Sequence, residues 1–303
     1  MQARSGYAFG RTGADRSDLL RSDADQLLAL WPEARVILVD PTGAAVAESA
    51  PGEAPRLYLP KGVDHPELLS SASLLGRDDT GQCWFALPAE NVPNAPGTRI
   101  ELRAAAARLE PLQAGLLAYA RSLLHWQRRS RHCGQCGAPL SLSRAGHQAI
   151  CPVCRSEFYP RTDPAVIVLV SDGERVLLGR QATWPARRYS VLAGFVEPGE
   201  QLEEAIEREV MEEAGLRVLE SRYVASQPWP FPSALMIGFT ALAEAGEPRF
   251  GDELEDARWF DVDSLLAEVR SGQLLLSPRI SIARRLIEDW LEQQGAAVPD
   301  TLD

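Results

Sequence analysis

The chain has 303 residues, about twice a typical domain length, which predicts two or three domains. Its 45% hydrophobic and 24% charged residues are ordinary for a globular protein, and no run approaches the ~18 apolar residues that would span a bilayer. A net charge of -11, from 31 basic and 42 acidic side chains, argues against a dedicated nucleic-acid surface, and an opening Met1-Gln-Ala-Arg-Ser-Gly without an apolar core predicts a cytoplasmic protein.

Residues 1–105 carry strand-like runs punctuated by Pro and Gly: Arg35–Asp40, Arg56–Leu59, Cys83–Leu87 and Arg99–Leu102. They predict a small, mostly β domain. Apolar residues then recur at helical spacing over 109–126, one long helix within a connecting segment, 106–132. A cysteine-rich segment follows at 133–158, and strands and helices mix over 159–295. There Ala165–Val170 and Arg175–Arg180 flank Asp172-Gly173, a hairpin signal. Further strands are expected at Val191–Val196, Val218–Ala225 and Leu235–Leu242. Helices are expected at Leu202–Ala214, with Gly215 as a left-handed cap, and at Val262–Arg270 and Ile280–Gln293. No internal repeat is visible.

Four of the five cysteines form Cys133-Gly-Gln-Cys136 and Cys151-Pro-Val-Cys154, with fourteen residues between the pairs. Two such knuckles suit one tetrahedral, structural Zn²⁺, and two redox or disulfide pairs are the competing reading. Cys83 reads as a buried strand residue and His132 as a bystander.

The stretch 194–216 is more informative. It holds eight glutamates between 197 and 213 against one arginine. Glu209, Glu212 and Glu213 stand at i, i+3 and i+4 on one helical face, with Glu200 at the entry. Carboxylates so grouped suit Mg²⁺ or Mn²⁺; a solvated acidic helix is the plainer alternative. The spacing decides between them. Residues 194–216 match G-x5-E-x7-R-E-U-x-E-E-x-G-U (U aliphatic) throughout, and so resemble the Nudix hydrolases. The resemblance implies an α/β/α sandwich on a mixed sheet, hence an α+β fold with the ribbon and the mostly β domain ahead of it. It also implies more than one divalent ion, held by Glu209, Glu213 and the Ala193 carbonyl with Glu212 nearby, and an Arg208 that orients the box.

Ser226-Gln-Pro-Trp-Pro-Phe-Pro232 begins ten residues after Leu216. Its prolines predict an extended, rigid loop presenting Gln227, Trp229 and Phe231 to a flat heterocycle; a packing loop is the alternative. With the four-cysteine ribbon ahead of it, this motif is similar to the NADH pyrophosphatase branch of the Nudix family. That resemblance implies a substrate surface of Gln227, Pro228, Trp229, Pro230, Phe231, Pro232, Ser233 and Ala234. It adds Tyr159, Ala283, Lys61 and Arg99 as further substrate contacts, and Glu253 as a further metal ligand, with Glu255 and Asp256 its neighbours. Ser233-Ala234 stands where the family commonly has Gln-Ser, and Gly146 where some members carry a glutamate.

The implied reaction is hydrolysis of the NAD(H) pyrophosphate to AMP and nicotinamide mononucleotide, with Glu209, Glu212, Glu213 and Glu253 as the catalytic carboxylates, in a homodimer. It extends to NAD-capped RNA, for which Arg128, Arg129, Arg131, Arg155 and Arg161 form a candidate basic path; a solvated helix end is the alternative. Other readings are a non-catalytic Nudix-fold regulatory or nucleic-acid-binding module, and a hydrolase of ADP-ribose or dinucleoside polyphosphates.

Overall fold

The computed structural model describes residues 8–10, 13–48, 53–251 and 253–297. It divides into two compact units: one runs to Thr162 and includes Trp229–Ser233, and the other holds Asp163–Pro228 and the chain from Ala234 onward.

In the first unit, helix α1 (Ala24–Leu30) precedes a five-stranded sheet of β1 (Arg35–Val39), β2 (Ala45–Ala47), β3 (Ser73–Arg77), β4 (Cys83–Pro88) and β5 (Thr98–Ile100), in the order β3-β4-β1-β2-β5. The short α2 (Leu102–Ala105) leads into α3 (Pro111–Arg129), whose apolar stripe, Leu116, Leu117, Ala120, Leu123 and Leu124, is buried as α3 packs on β1, β3 and β4. A core of Trp31, Val36, Leu38, Leu74, Phe85 and Leu87 gathers in the same unit. Strands β6 (Ser141–Ser143), β7 (Gln148–Ile150) and β8 (Glu157–Phe158) form the ribbon's own small sheet. Its tip, Arg144-Ala145-Gly146, turns entirely through positive φ, and the Ala145 carbonyl accepts from Leu74 N–H of β3 at 3.1 Å.

The second unit is built on β9 (Asp163–Ser171), β10 (Val176–Arg180), β11 (Leu192–Phe195), β12 (Val218–Trp229), β13 (Ala234–Ala243) and β14 (Asp256–Phe260), ordered β12-β13-β9-β10-β14 with β11 also paired to β9. Helix α4 (Leu202–Ala214) buries Ala205, Ile206, Val210 and Ala214 against Val166, Val168 and Val170, one face of β9. The opposite face carries Ile167, which pairs with Gly238 of β13; a Cβ on Gly238 would meet Ile282 of α6 (Ile282–Gln293) at 2.6 Å. Helices thus cover both faces of a mixed sheet, an α/β/α sandwich, with α5 (Val262–Ser271) against β14. Gly215 caps α4 at φ 64°, in the left-handed region expected of it.

Two expectations change. The strand expected at Arg56–Leu59 is reduced to single bridges, Ala47 with Leu57 and, just beyond it, Arg35 with Lys61. A repeat is also present, in topology rather than in residues. In the first unit β4 and β1 are parallel, while β1/β2 and β2/β5 are antiparallel. In the second, β13 and β9 are parallel, while β9/β10 and β10/β14 are antiparallel. Between β2 and β3, where the second unit carries α4, the described residues of the first hold 3-10 turns at Gly62–Asp64 and Pro66–Ser71 and no α-helix. Only strand order is shared, so no residue period exposed the repeat.

Candidate active site

The acidic box occupies the end of β11, a turn, and α4. A Gln201–Glu204 capping box starts the helix, and the Glu200 carboxylate accepts from the Glu197 backbone N–H at 2.9 Å in the turn before it. One 3.6-residue period then turns Glu209 and Glu213 inward, 7% and 4% exposed, while Glu212 stays at the surface.

Arg208 holds this array together. Its guanidinium donates to Glu200 through Nε (2.7 Å) and Nη2 (2.9 Å), to Glu209 (2.8 Å) and Glu212 (3.0 Å) through Nη1, and to the Phe195 carbonyl (2.9 Å). The bidentate contact holds the Glu200 carboxyl down at about 2, and the three carboxylates raise Arg208 above its ordinary range. Arg208 therefore orients the box, as the family resemblance implied.

Glu213 has no such partner. Burial, then the charges of Glu209, Glu253 and Glu212, push its carboxyl up to about 8 against a backbone hydrogen bond from Ala193, and its Oε2 is buried with no partner. Burial likewise raises Glu209, which Arg208 opposes. A buried carboxylate oxygen without a donor, ringed by other carboxylates, is costly unless a cation meets it. An all-oxygen donor set suits a hard divalent ion, and Glu209, Glu213, Glu253 and the Ala193 carbonyl are the candidate ligands here.

At the ribbon, the four sulfurs lie within 4.8 Å of one another, with Cys133–Cys154 at 3.5 Å and Cys136–Cys151 at 3.4 Å. The set fits one tetrahedral Zn²⁺ and leaves no coordination position open, so this ion is structural. Cys83 is buried in β4.

The proline motif is extended as expected, but its first residues belong to a strand rather than a loop. Residues up to Trp229 extend β12, and Gln227 is fully buried, its Nε2 donating to the Ile280 carbonyl (2.6 Å) and its Oε1 accepting from Ile282 N–H (2.7 Å). Gln227 is thus a clamp on the start of α6, next to the buried Ala283. Pro228 is exposed, Pro230 and Ser233 are buried, Pro232 is exposed, and Ala234 opens β13. Trp229 and Phe231 stand edge to face at 5.1 Å, with Phe9 against both. Arg103 and Arg121 lie 4.4 and 5.1 Å over the Phe231 ring, and Arg121 Nε donates to the Pro230 carbonyl (2.8 Å). Sequence reasoning missed these two arginines, since nothing in their own helices marks them.

Among the remaining candidates, the Tyr159 hydroxyl donates to Glu157 (2.6 Å) and accepts from Gln148 (3.1 Å). Lys61 is paired with Glu33 (2.7 Å), and Arg99 faces Asp40 (3.5 Å). Arg128 is not an open cation: it donates to the Asp40 carbonyl (2.8 Å) and the Val39 carbonyl (2.9 Å), with Glu90 at 3.5 Å. The expected basic path therefore loses its first member. The alternative of a solvated helix end also fails for Arg128, which is a strut. Glu253 is exposed, one residue before the buried Leu254. Among the described residues no helix is long and apolar enough to cross a membrane.

A glutamate-bearing loop and helix laid on a mixed sheet between helices define the class. The NUDIX domain family matches residues 161–279, the NADH pyrophosphatase zinc ribbon domain 128–159, and the NADH pyrophosphatase-like rudimentary NUDIX domain 24–126. In an alignment of 307 positions that covers 95% of this chain and 96% of the relative, the chain is 39% identical to the NAD-capped RNA hydrolase NudC of Mycobacterium bovis. It is 42% identical to the protein of that name from Stutzerimonas stutzeri, over 75% of this chain and 79% of the other. It is 36% identical to the mitochondrial NAD(P)H pyrophosphatase NUDT13 of Mus musculus, over 76% and 74%. The chain belongs to the Nudix hydrolase family, in the group that carries the NADH pyrophosphatase zinc ribbon. The rudimentary domain assigned to 24–126 agrees with the repeated strand order.

Proposed function

We propose that this chain hydrolyses the pyrophosphate bond of NAD(H), giving AMP and nicotinamide mononucleotide, and removes NAD caps from RNA 5′ ends. The observation that carries this reading is the buried, partnerless Oε2 of Glu213 beside Glu209. The names of the relatives supply the substrate.

In this reading Glu209, Glu213, Glu253 and the Ala193 carbonyl hold more than one Mg²⁺ or Mn²⁺. Such ions polarise phosphoryl oxygens and lower the pKa of water. Arg208 keeps Glu200, Glu209 and Glu212 in place, and one carboxylate among Glu209, Glu212, Glu213 and Glu253 accepts the proton of the attacking water. Trp229 and Phe231 offer aromatic faces to the dinucleotide's heterocycle, with Tyr159, Ala283, Lys61 and Arg99 as further contacts. Gln227 acts through α6. The proposal includes a homodimer, a division at about 105, 132 and 158, and the cytoplasm, whose reducing conditions keep four thiolates available to zinc.

Product formation from NADH, ADP-ribose, dinucleoside polyphosphates and NAD-capped RNA, at one Mn²⁺ concentration, tests the substrate. AMP and nicotinamide mononucleotide from NADH should form fastest among the small molecules; preference for ADP-ribose would overturn the assignment.

A further inference from the structure

Glu253 is exposed and near the box carboxylates, so something must hold its arm in place. Two features flank it on the C-terminal side. Leu254 is buried in the core with Leu177 and Leu192, its Cδ1 3.0 Å from where a Cβ on Gly179 would stand. Two residues further on, the Asp256 Oδ2 accepts from the Tyr189 hydroxyl at 2.5 Å and forms an ion pair with the Arg258 guanidinium, whose Nε lies 3.0 Å away. Arg258 is itself held by Glu268, at 3.2 and 3.1 Å, and its guanidinium lies over the Tyr189 and Phe260 rings at 4.9 and 4.8 Å. Beside this knot Glu255 N–H donates to the Arg180 carbonyl (2.8 Å), and the two side chains pair.

Tyr189 is the member that matters, because of where its own backbone leads. It is buried, its N–H donates to the Leu275 carbonyl (2.9 Å), and four residues later the same segment reaches Ala193, the backbone donor to Glu213. One hydroxyl therefore ties the strand that enters the acidic box to the arm that carries Glu253.

We propose that Tyr189, through Asp256, is a positioning residue that sets where the Glu253 carboxylate stands relative to Glu209 and Glu213. The inference rests on the reading of Glu253 as a metal ligand. Tyr189 touches no reacting atom. Removing its hydroxyl leaves the packed ring and takes one anchor from the Glu253 arm, beside those at Leu254 and Glu255, so metal affinity falls, as it does when the groups that orient metal ligands are lost.

The test measures Mn²⁺ binding directly, by the loss of the free-ion paramagnetic signal, together with turnover at saturating Mn²⁺. Tyr189→Phe and Asp256→Asn should each raise the half-saturating Mn²⁺ concentration about tenfold and change saturated turnover far less. Tyr223→Phe, whose ring packs on Phe239 away from the knot, should change neither. Glu253→Gln should raise the same concentration, and adding Tyr189→Phe to it should raise it no further. If Glu253→Gln weakens Mn²⁺ binding while Tyr189→Phe and Asp256→Asn lower only thermal stability, Tyr189 is a packing residue and the inference fails. If Glu253→Gln leaves binding unchanged, the assignment of Glu253 fails and takes the inference with it.

Discussion

The carboxylate of Glu209 occupies the space in which Gly194 would carry a side chain: a Cβ at 194 would stand 1.8 Å from the Glu209 carboxyl carbon. The first glycine of the box is therefore a steric requirement of its first inward glutamate. Gly194→Ala should push Glu209 out of the array and off Arg208. Turnover should fall ~10²-fold, by the loss of one preorganised electrostatic contact. Circular dichroism should stay unchanged, because β11 pairs through its backbone.

Glu213 predicts how metal and pH are linked. Its carboxyl, ordinarily at 4.5, stands at about 8 in the fold, so the fold favours the protonated form. The stability this gives is full below 4.5 and is lost as pH rises through about 8. Without divalent ions, thermal stability should fall across that window. Added Mn²⁺ should restore more of it at the alkaline end, since an ion must displace the proton. Glu213→Gln should flatten both effects. Denaturation curves with chelator or with Mn²⁺, taken across pH, make the comparison.

Zinc is expected at one ion per chain by elemental analysis. Cys151→Ser removes a buried thiolate and should lower the melting temperature or the soluble yield, with Mn²⁺ binding by the surviving folded fraction unchanged. Folded, active protein free of zinc would contradict the ribbon assignment.

Arg128 is expected to act on stability. Arg128→Ala removes the guanidinium donor to the Val39 and Asp40 carbonyls, of which Asp40 keeps the Gly43 N–H, and should cost about 1–3 kcal/mol. NADH and NAD-capped RNA should then be affected alike. A selective loss of decapping, with NADH turnover intact, would restore the basic path read from the sequence.

The sequence made the box and the ribbon legible because both are local. Cys133–Cys154 and Gly194–Leu216 each fix their chemistry by spacing within one short stretch, and α4 starts and stops at the residues its own period and Gly215 dictate. What escaped it is made by distant partners. Gln227 looks like a loop residue until the Ile280 and Ile282 backbone closes on both ends of its amide. Arg128 looks like part of a basic run until the Val39 and Asp40 carbonyls claim it. The Tyr189–Asp256 bond joins residues sixty-seven positions apart, and no periodicity in either segment announces it.

The most direct test of the central claim compares NADH turnover in Glu213→Gln with that in Glu220→Gln. The first keeps the side chain's shape but removes the buried carboxyl at the heart of the array; the second alters a surface glutamate that pairs with Arg222. Measured as AMP released at saturating Mn²⁺, Glu213→Gln should fall at least ~10²-fold and Glu220→Gln should match the parent. Equal turnover in the two variants would mean that the carboxylate array on α4 is not where the pyrophosphate is cut.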